Sequence, residues 1–133
     1  MRNEPRTMFM GRNMLPAREA ARLFDAACSA LGILPQQMRS RRRTALLSER
    51  RWIVMYYLRS RNARLDDIAA LMHRSRATVL HGIDRLTKEL RGGMADSWKR
   101  LLDRVDAAAM RSPAATEPPV RAPIRGVNAS AGF

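Results

Sequence analysis

Apolar residues recur at helical spacing through most of the chain, and they predict a helical protein. The first stretch opens at Pro16, a residue type favoured in the first helical turn, and it ends at Gly32. Its apolar positions form one helix face and are Ala20, Leu23, Phe24, Ala27 and Leu31. A short helical turn opening at Pro35 is expected next.

A second long helix is predicted from Ser48, interpreted as its N-cap, to about Arg61. One face of this helix is marked by Trp52, Met55, Tyr56 and Arg59, with Ile53 and Tyr57 beside them. The segment Asn62-Ala63-Arg64 is predicted to be a turn.

Two shorter patterns then predict a pair of helices joined by a tight turn. Asp66 and Asp67 carry the negative charge favoured at a helix N-terminus, and apolar residues continue to Met72. Ser75 is the expected N-cap of the second helix, which the pair Gly92-Gly93 ends. Its inner positions are Val79, Ile83, Leu86 and Leu90, and its outer positions are Ala77, His81, Asp84, Arg85 and Lys88.

A last helix is predicted from about Asp96 to Met110, with a buried stripe of Trp98, Leu101, Leu102, Val105 and Ala109. The predicted fold is therefore all-α, a helix-turn-helix bundle of about five helices. Residues 1–15 are expected to form a flexible arm and residues 16–110 a helical domain, with the helix-turn-helix at about 66–90. Residues 111–133, rich in Pro and Ala, are expected to be a disordered tail.

The net charge of the chain indicates which kind of partner it binds. The chain has 25 basic and 12 acidic side chains, a formal net charge of +13. Such an excess attracts polyanions, so nucleic acid or an anionic membrane is the leading partner class. All basic residues except Lys88 and Lys99 are Arg, whose planar fork matches phosphate oxygens and guanine edges. A codon bias toward Arg would give the same composition. Nucleic-acid binding therefore has to be inferred from where these residues lie in the sequence.

Other features exclude several classes. The single cysteine, Cys28, allows no intrachain disulfide and fits a reducing compartment. No stretch approaches the roughly 20 apolar residues of a membrane span, and charged residues interrupt the N-terminus where a signal peptide would be apolar. No metal-ligand spacing, nucleophile–base set or cofactor loop emerges, so neither an enzyme nor a cofactor is expected. The expected location is the bacterial cytoplasm, on the nucleoid when DNA is bound.

The paired helices favour recognition of double-stranded DNA. A single helix fits the major groove, and its N-terminal turns meet base edges. In this chain Arg76 is expected to contact a guanine, Ala77 or Thr78 a thymine methyl, and the Thr78 hydroxyl a phosphate. Arg74 and Ser75 lie at the same helix start, and His81 and Arg85 follow it toward the DNA backbone. A polar helix face more often contacts only water, but the high density of arginines just upstream favours DNA binding.

A run of arginines precedes the second long helix. Arg39, Arg41, Arg42 and Arg43 are too densely charged to form core. They are expected to contact phosphates or a narrow minor groove, where Arg is favoured. The alternative is a solvated surface loop.

Residues 31–90 resemble the C-terminal DNA-binding domain of the bacterial replication initiator DnaA. The matching stretches are Ser40-Arg41-Arg42-Arg43, the helix Glu49 to Leu58, Leu65-Asp66-Asp67-Ile68-Ala69, and Ala77-Thr78-Val79-Leu80-His81. The resemblance implies a helix-turn-helix fold and DNA binding. It also implies that Arg51, at the start of the long helix, enters the minor groove, and that Thr78 matches the second threonine of the recognition motif.

The departures from the family pattern are as informative as the matches. The family's Asp-His-Thr is replaced by Ser75-Arg76-Ala77, so the standard DnaA box is not expected to be the site. His73-Arg74 stands where the family has glycines in the turn. The chain resembles the DNA-reading domain without the ATPase domain, and a stand-alone regulator of transcription or replication is the expected role.

Two other functions stay open at this point. A helical adaptor with only nonspecific nucleic-acid affinity would dock a protein partner through Trp98, Leu101 and Leu102. RNA binding by base stacking is poorly supported, because aromatic residues make up only 5% of the chain. No heptad pattern supports a coiled-coil dimer, so a monomer or a weak dimer is expected.

Overall fold

The structure, a computed structural model, describes residues 14–111, and these form six helices. In chain order they are α1 (Ala17–Leu31), α2 (Pro35–Arg39), α3 (Ala45–Ser60), α4 (Leu65–Met72), α5 (Arg76–Glu89) and α6 (Ala95–Arg111). Within this part of the chain the all-α prediction is confirmed, and the short turn at Pro35 is a helix of its own. Within residues 14–111 no helix is both long and apolar enough to cross a membrane.

Helix α3 lies at the centre of the bundle. It packs against α1, α2, α4, α5 and α6, so several of its sides are covered at once. Its fully buried side chains include Ile53, Val54 and Leu58, whereas Trp52 and Tyr56 are only half-buried. Of the face predicted around Trp52, Met55, Tyr56 and Arg59 only Met55 is buried, and the neighbouring Ile53 and Tyr57 are buried as well. A helix covered on several sides has no single apolar stripe for periodicity to find.

The start of α3 also differs from the prediction. Thr44 is the N-cap, and its hydroxyl accepts a hydrogen bond from the Leu47 backbone N–H at 3.1 Å. Ser48, the predicted cap, lies inside the first turn. Because Ala45, Leu46 and Leu47 are strong helix formers, the helix extends one turn further upstream than the charged run suggested.

The other predicted helices begin and end close to the predicted residues. Gly32 ends α1 in the left-handed conformation at φ 71°, as a helix-ending glycine does. All five predicted inner positions of α1 are buried. On α6, Trp98, Val105 and Ala109 are buried, while Leu101 and Leu102 are half-buried against the core.

Helices α1 and α6 pack against each other, and both also contact α3. The Arg22 guanidinium donates to the carbonyl of Ala109 at 3.1 Å, and Arg104 donates to the carbonyl of Ala30 at 3.1 Å. On α3, the Tyr57 hydroxyl donates to Asp106 of α6 at 2.8 Å. Burial first and then this carboxylate raise the pKa of Tyr57 to about 12.

The predicted ends of the helical domain fall close to the ends of the described residues. Leu15, assigned to the arm, donates its backbone N–H to the carbonyl of Asn62 at 2.8 Å, so it is tied to the turn after α3. Arg111, assigned to the tail, is the last residue of α6. The remainder of the predicted arm and tail, residues 1–13 and 112–133, lies outside the described residues.

Candidate nucleic-acid interface

A groove of about 320 Å³ separates α5 from the loop that links α2 to α3. This loop, residues 40–44, is called the basic loop below. The groove is lined by Arg43, Ser48, Arg51, Trp52, Met55, Arg74, Thr78, His81 and Gly82. The basic loop and the start of α5 therefore lie on the same face of the molecule, which the sequence alone did not establish.

The N-terminus of α5 is capped as the sequence predicted. The Ser75 hydroxyl accepts a hydrogen bond from the Thr78 N–H at 3.1 Å and donates to the Thr78 hydroxyl at 3.0 Å. Because the Thr78 hydroxyl accepts from Ser75, its own proton remains available to donate to an anion. His73 adopts the left-handed conformation, φ 54°, and so makes the tight turn for which glycine is the commoner residue.

Arg76, the predicted base-reading residue, is exposed at the first position of α5. Its Nε lies 3.4 Å from Asp66 Oδ1 on α4, and the two side chains are 62% and 76% exposed. An ion pair this exposed contributes little to stability. The pair joins the two helices of the helix-turn-helix through side chains that both point outward.

The outer side of α5 is open along its N-terminal half. Ala77, Thr78 and His81 are exposed, as predicted. Leu80 is also exposed, at 50% of its surface, and it was not among the candidate residues predicted from the sequence. The exposure of Leu80 could have been predicted from the sequence, because Leu80 follows Ala77 at a spacing of three and is not among the predicted inner positions of the helix.

The three arginines of the basic loop point outward. Arg41, Arg42 and Arg43 are all exposed, and Arg43 lines the groove together with Thr78 and His81. Three cations on one short loop beside a capped helix N-terminus make a strongly positive surface.

Arg51 occupies a different position from the one the resemblance implied. Its side chain is 6% exposed, and all three guanidinium nitrogens donate to the basic loop and the end of α2. Its acceptors are the carbonyls of Gln37, Met38, Ser40 and Arg42, together with the Ser40 hydroxyl. This placement does not support the expectation that Arg51 enters a DNA groove, because its fork is already used within the protein.

Arg74 and Arg39 also turn inward. Arg74 donates to the carbonyls of Arg39, Ser40, Met72 and His73. Arg39 donates from Nε to the Leu71 carbonyl at 2.7 Å, and its guanidinium lies 4.9 Å from the centre of the Phe24 ring. The phosphate contact expected of Arg39 is not supported by this placement, because both its charge and its hydrogen bonds face the core.

The neighbouring cations Arg43, Arg51 and Arg74 affect one another. Burial first, and then the neighbouring charges of Arg74 and Arg43, lower the pKa of Arg51. Arginine nevertheless stays protonated, so the repulsion is not relieved by loss of a proton. A negative charge brought to the groove would reduce this repulsion.

Comparison with protein families finds one match. Residues 20–86, half of the chain, match the family described as the bacterial DnaA protein helix-turn-helix. The chain belongs to this family. Searches of curated proteins and of solved structures returned no match. The DnaA-type helix-turn-helix is a DNA-binding domain, so the family match supports DNA binding by this chain.

The family match includes every residue that lines the groove. The match begins in α1 and ends in α5, so the basic loop, α4 and the start of α5 all lie within it. Helix α6 lies beyond the match. Among residues 14–111 no group of three or more His, Cys, Asp or Glu side chains is placed to hold a metal ion.

Arg85 is only partly available to DNA in this DnaA-type domain. Its guanidinium lies 4.7 Å from the centre of the Trp52 ring, and Nη2 lies 3.7 Å from Glu89 Oε2. Its side chain is 46% exposed. The predicted backbone contact would therefore have to compete with a cation–π contact, typically worth about 0.5–1 kcal/mol at exposed sites.

Gly82 is a second residue that prediction from sequence missed. It is buried in the middle of α5, where a Cβ would lie 2.5 Å from Met55 Sδ and 3.3 Å from Trp52 Cδ1. A glycine inside a helix costs about 1 kcal/mol relative to alanine and usually has a packing reason. That reason is the close approach of α5 to α3, which sets how far the recognition helix stands out from the bundle.

Proposed function

We propose that this protein binds double-stranded DNA at specific sites through α5 and the basic loop, as a regulator of transcription or replication. The observation that carries the proposal is the groove that brings Arg43, Thr78 and His81 to one face. A DNA strand along this groove would lie between the recognition helix on one side and the basic loop on the other.

The start of α5 is proposed to read bases in the major groove. Arg76, Ala77 and Leu80 lie on its exposed surface and differ in the base edges they suit. A guanidinium suits the two acceptors of guanine, whereas methyl and isobutyl groups suit the thymine methyl. The expected site therefore contains at least one G·C pair next to A·T pairs.

The groove itself is proposed to bind the sugar-phosphate backbone. The Thr78 hydroxyl, the His81 ring and the Arg43 guanidinium line it from both sides. Arg41 and Arg42 extend the positive surface beyond the groove toward the neighbouring phosphates or the minor groove. Phosphate contacts fix the register of the helix on the duplex, and base contacts give the specificity.

The recognised site is proposed to differ from the standard DnaA box. The side chains at the start of α5 are Ser75, Arg76 and Ala77, and the first of these serves as the helix cap. Different side chains present a different donor and acceptor pattern to the bases. A monomer binding one asymmetric site is the simplest arrangement for a single helix-turn-helix.

The first experiment measures binding to a random duplex at increasing salt. About four to five phosphate contacts would give a log–log slope near −4. As a matched control, Arg100→Ala removes one exposed charge from α6 and should leave the slope nearly unchanged. Weak binding at low salt with a flat salt response would contradict the proposal and favour the adaptor with only nonspecific affinity.

The second experiment selects bound sequences from a pool of random duplexes. A specific protein should enrich one motif of limited length, with affinity at least 10³-fold above that for random duplex. Enrichment of no motif, despite a steep salt response, would leave DNA binding intact and overturn its sequence specificity. Complex size by light scattering on the enriched duplex would distinguish the proposed monomer from a dimer.

A further inference from the structure

We infer that Arg51 and Arg74 are positioning residues, which clamp the basic loop to the helix-turn-helix and do not themselves bind DNA. This inference rests on the proposed function, because it explains how the exposed loop arginines come to face the same strand as α5. It also makes a claim about the free protein that can be tested without DNA.

Arg51 ties the basic loop to the end of α2. Its Nε donates to the Met38 carbonyl at 2.9 Å, and its Nη1 donates to the Arg42 carbonyl at 2.6 Å. Its Nη2 donates to the Ser40 carbonyl at 2.7 Å. A planar fork with bonds in three directions fixes the path of the loop backbone, which a single bond could not do.

Arg74 ties the same loop to the turn of the helix-turn-helix. It extends from the turn between α4 and α5 and donates to the carbonyls of Ser40 and Arg39. It also donates to the Met72 carbonyl at 3.2 Å. Ser40 O therefore accepts from Arg51 and from Arg74, so one carbonyl joins the loop, α3 and the turn before α5.

The chemistry explains why arginines occupy these positions. The last carbonyls of a helix have no partner within it, and they form the negative end of the helix dipole. Arg51 supplies donors to the last turn of α2, and Arg74 and Arg39 supply them to the last turn of α4. Two short helices that end near each other are thus capped by cations, and the basic loop is held between them.

Neighbouring arginines therefore have different roles, since some hold the loop backbone and others remain exposed. Arg51 fixes the backbone at Arg42, while the Arg42 side chain remains exposed. The loop is therefore ordered before it meets DNA, and binding does not have to pay the entropy of ordering it. The rival interpretation, that Arg51 itself contacts DNA, requires breaking these internal bonds to release a side chain that is 6% exposed.

The first test uses the free protein. Trypsin cleavage after Arg41, Arg42 and Arg43 is followed by mass spectrometry in the full chain and in Arg51→Lys, Arg74→Ala and Arg100→Ala variants. Loss of hydrogen bonds from a charged donor should open the loop and speed cleavage at these three sites at least about tenfold in the first two variants. The Arg100→Ala control should cleave at the original rate, and thermal unfolding monitored by circular dichroism confirms that each variant is folded. Unchanged cleavage in a folded Arg51→Lys variant would overturn the clamp.

The second test is a double-mutant cycle with a random duplex and, if one is selected, the specific site. The loop variant Arg41→Ala/Arg42→Ala/Arg43→Ala removes the exposed charges. In the native loop Arg51→Lys should weaken binding about tenfold, whereas in the loop variant it should cost less than about twofold. A phosphate contact would instead tolerate lysine, which keeps the charge, so full affinity in Arg51→Lys would contradict the inference. Equal losses in both backgrounds would show direct contact and would also overturn it.

The two tests separate this inference from the proposed function. If the native protein shows no salt-dependent duplex binding, the proposed function fails, while the trypsin experiment still decides whether the clamp exists. If duplex binding is present but the loop opens no faster in the Arg51→Lys and Arg74→Ala variants, only the clamp fails.

Discussion

The two sides of α5 show how the recognition helix is built. Its inner side carries Val79, Gly82 and Leu86, which are buried against α3 and the core. Its outer side carries Ala77, Leu80 and His81, which are exposed beside the groove. The inner side sets where the helix lies, and the outer side sets what it can read. Substitutions on the outer side should therefore change DNA binding without changing stability, whereas substitutions on the inner side should act first on stability.

The largest effect is expected from Leu86→Ala. The Leu86 side chain is fully buried, and truncation leaves a cavity in the core. The free energy of unfolding should fall by about 3 kcal/mol, within the usual range for such a change. Leu80→Ala, the matched control on the outer side, should change the unfolding free energy by less than about 0.5 kcal/mol. Urea unfolding measures both, and similar losses would contradict the two-sided description of α5.

Gly82→Val should have the next largest effect. The new side chain would overlap Met55 Sδ and press on Trp52, forcing α5 away from α3. Overpacking should cost about 2 kcal/mol of stability. Because the start of α5 would move relative to the basic loop, affinity for duplex should also fall in the folded fraction. A stable variant with unchanged DNA affinity would show that the close approach at Gly82 does not set the interface.

Arg76→Ala should change specificity more than stability. Removing a guanine contact should cost about 1–2 kcal/mol at one base pair of the selected site and little on random duplex. Asp66→Ala removes the ion-pair partner but keeps the guanidinium, so it should retain most of the discrimination. Competition binding with single-base variants of the site measures both. If Arg76→Ala weakened every sequence equally, its assignment to base reading would be wrong.

Arg42→Ala is expected to have the smallest effect. It removes one exposed loop charge, so affinity should fall by a similar factor for all sequences, and the log–log salt slope should decrease by about 0.9. Loss of discrimination at one base pair would instead show that this arginine reads sequence in the minor groove. Arg42 would then be a base-reading residue like Arg76 and not a phosphate contact.

Several features could be predicted from sequence because they depend on neighbours along the chain. The cap at Ser75, the helix end at Gly32 and the inner and outer positions of α5 all follow from local spacing. Family membership could likewise be inferred from the register of short motifs, such as Thr78-Val79-Leu80-His81, with the upstream helix. These signals need no knowledge of what packs against them.

The interface was less predictable where distant segments meet. Arg39, Arg51 and Arg74 carry the same side chain as the outward-facing Arg41, Arg42 and Arg43, and nothing local distinguishes the two groups. The difference is made by helix-end carbonyls up to 35 residues away in sequence, which accept the inward guanidiniums. A residue without a Cβ is needed at Gly82 only because Met55 and Trp52 lie against it.

The sequence by itself determined that the chain is helical, basic and built around a helix-turn-helix of the DnaA type, because periodicity, caps and charge are properties of short segments. Only the tertiary structure decided which arginines face the solvent and which are held inside, and that the basic loop and α5 border one groove. The hydrogen-bond acceptors of these long side chains lie on helices that are remote in the sequence. No single segment of the sequence shows which helices pack together.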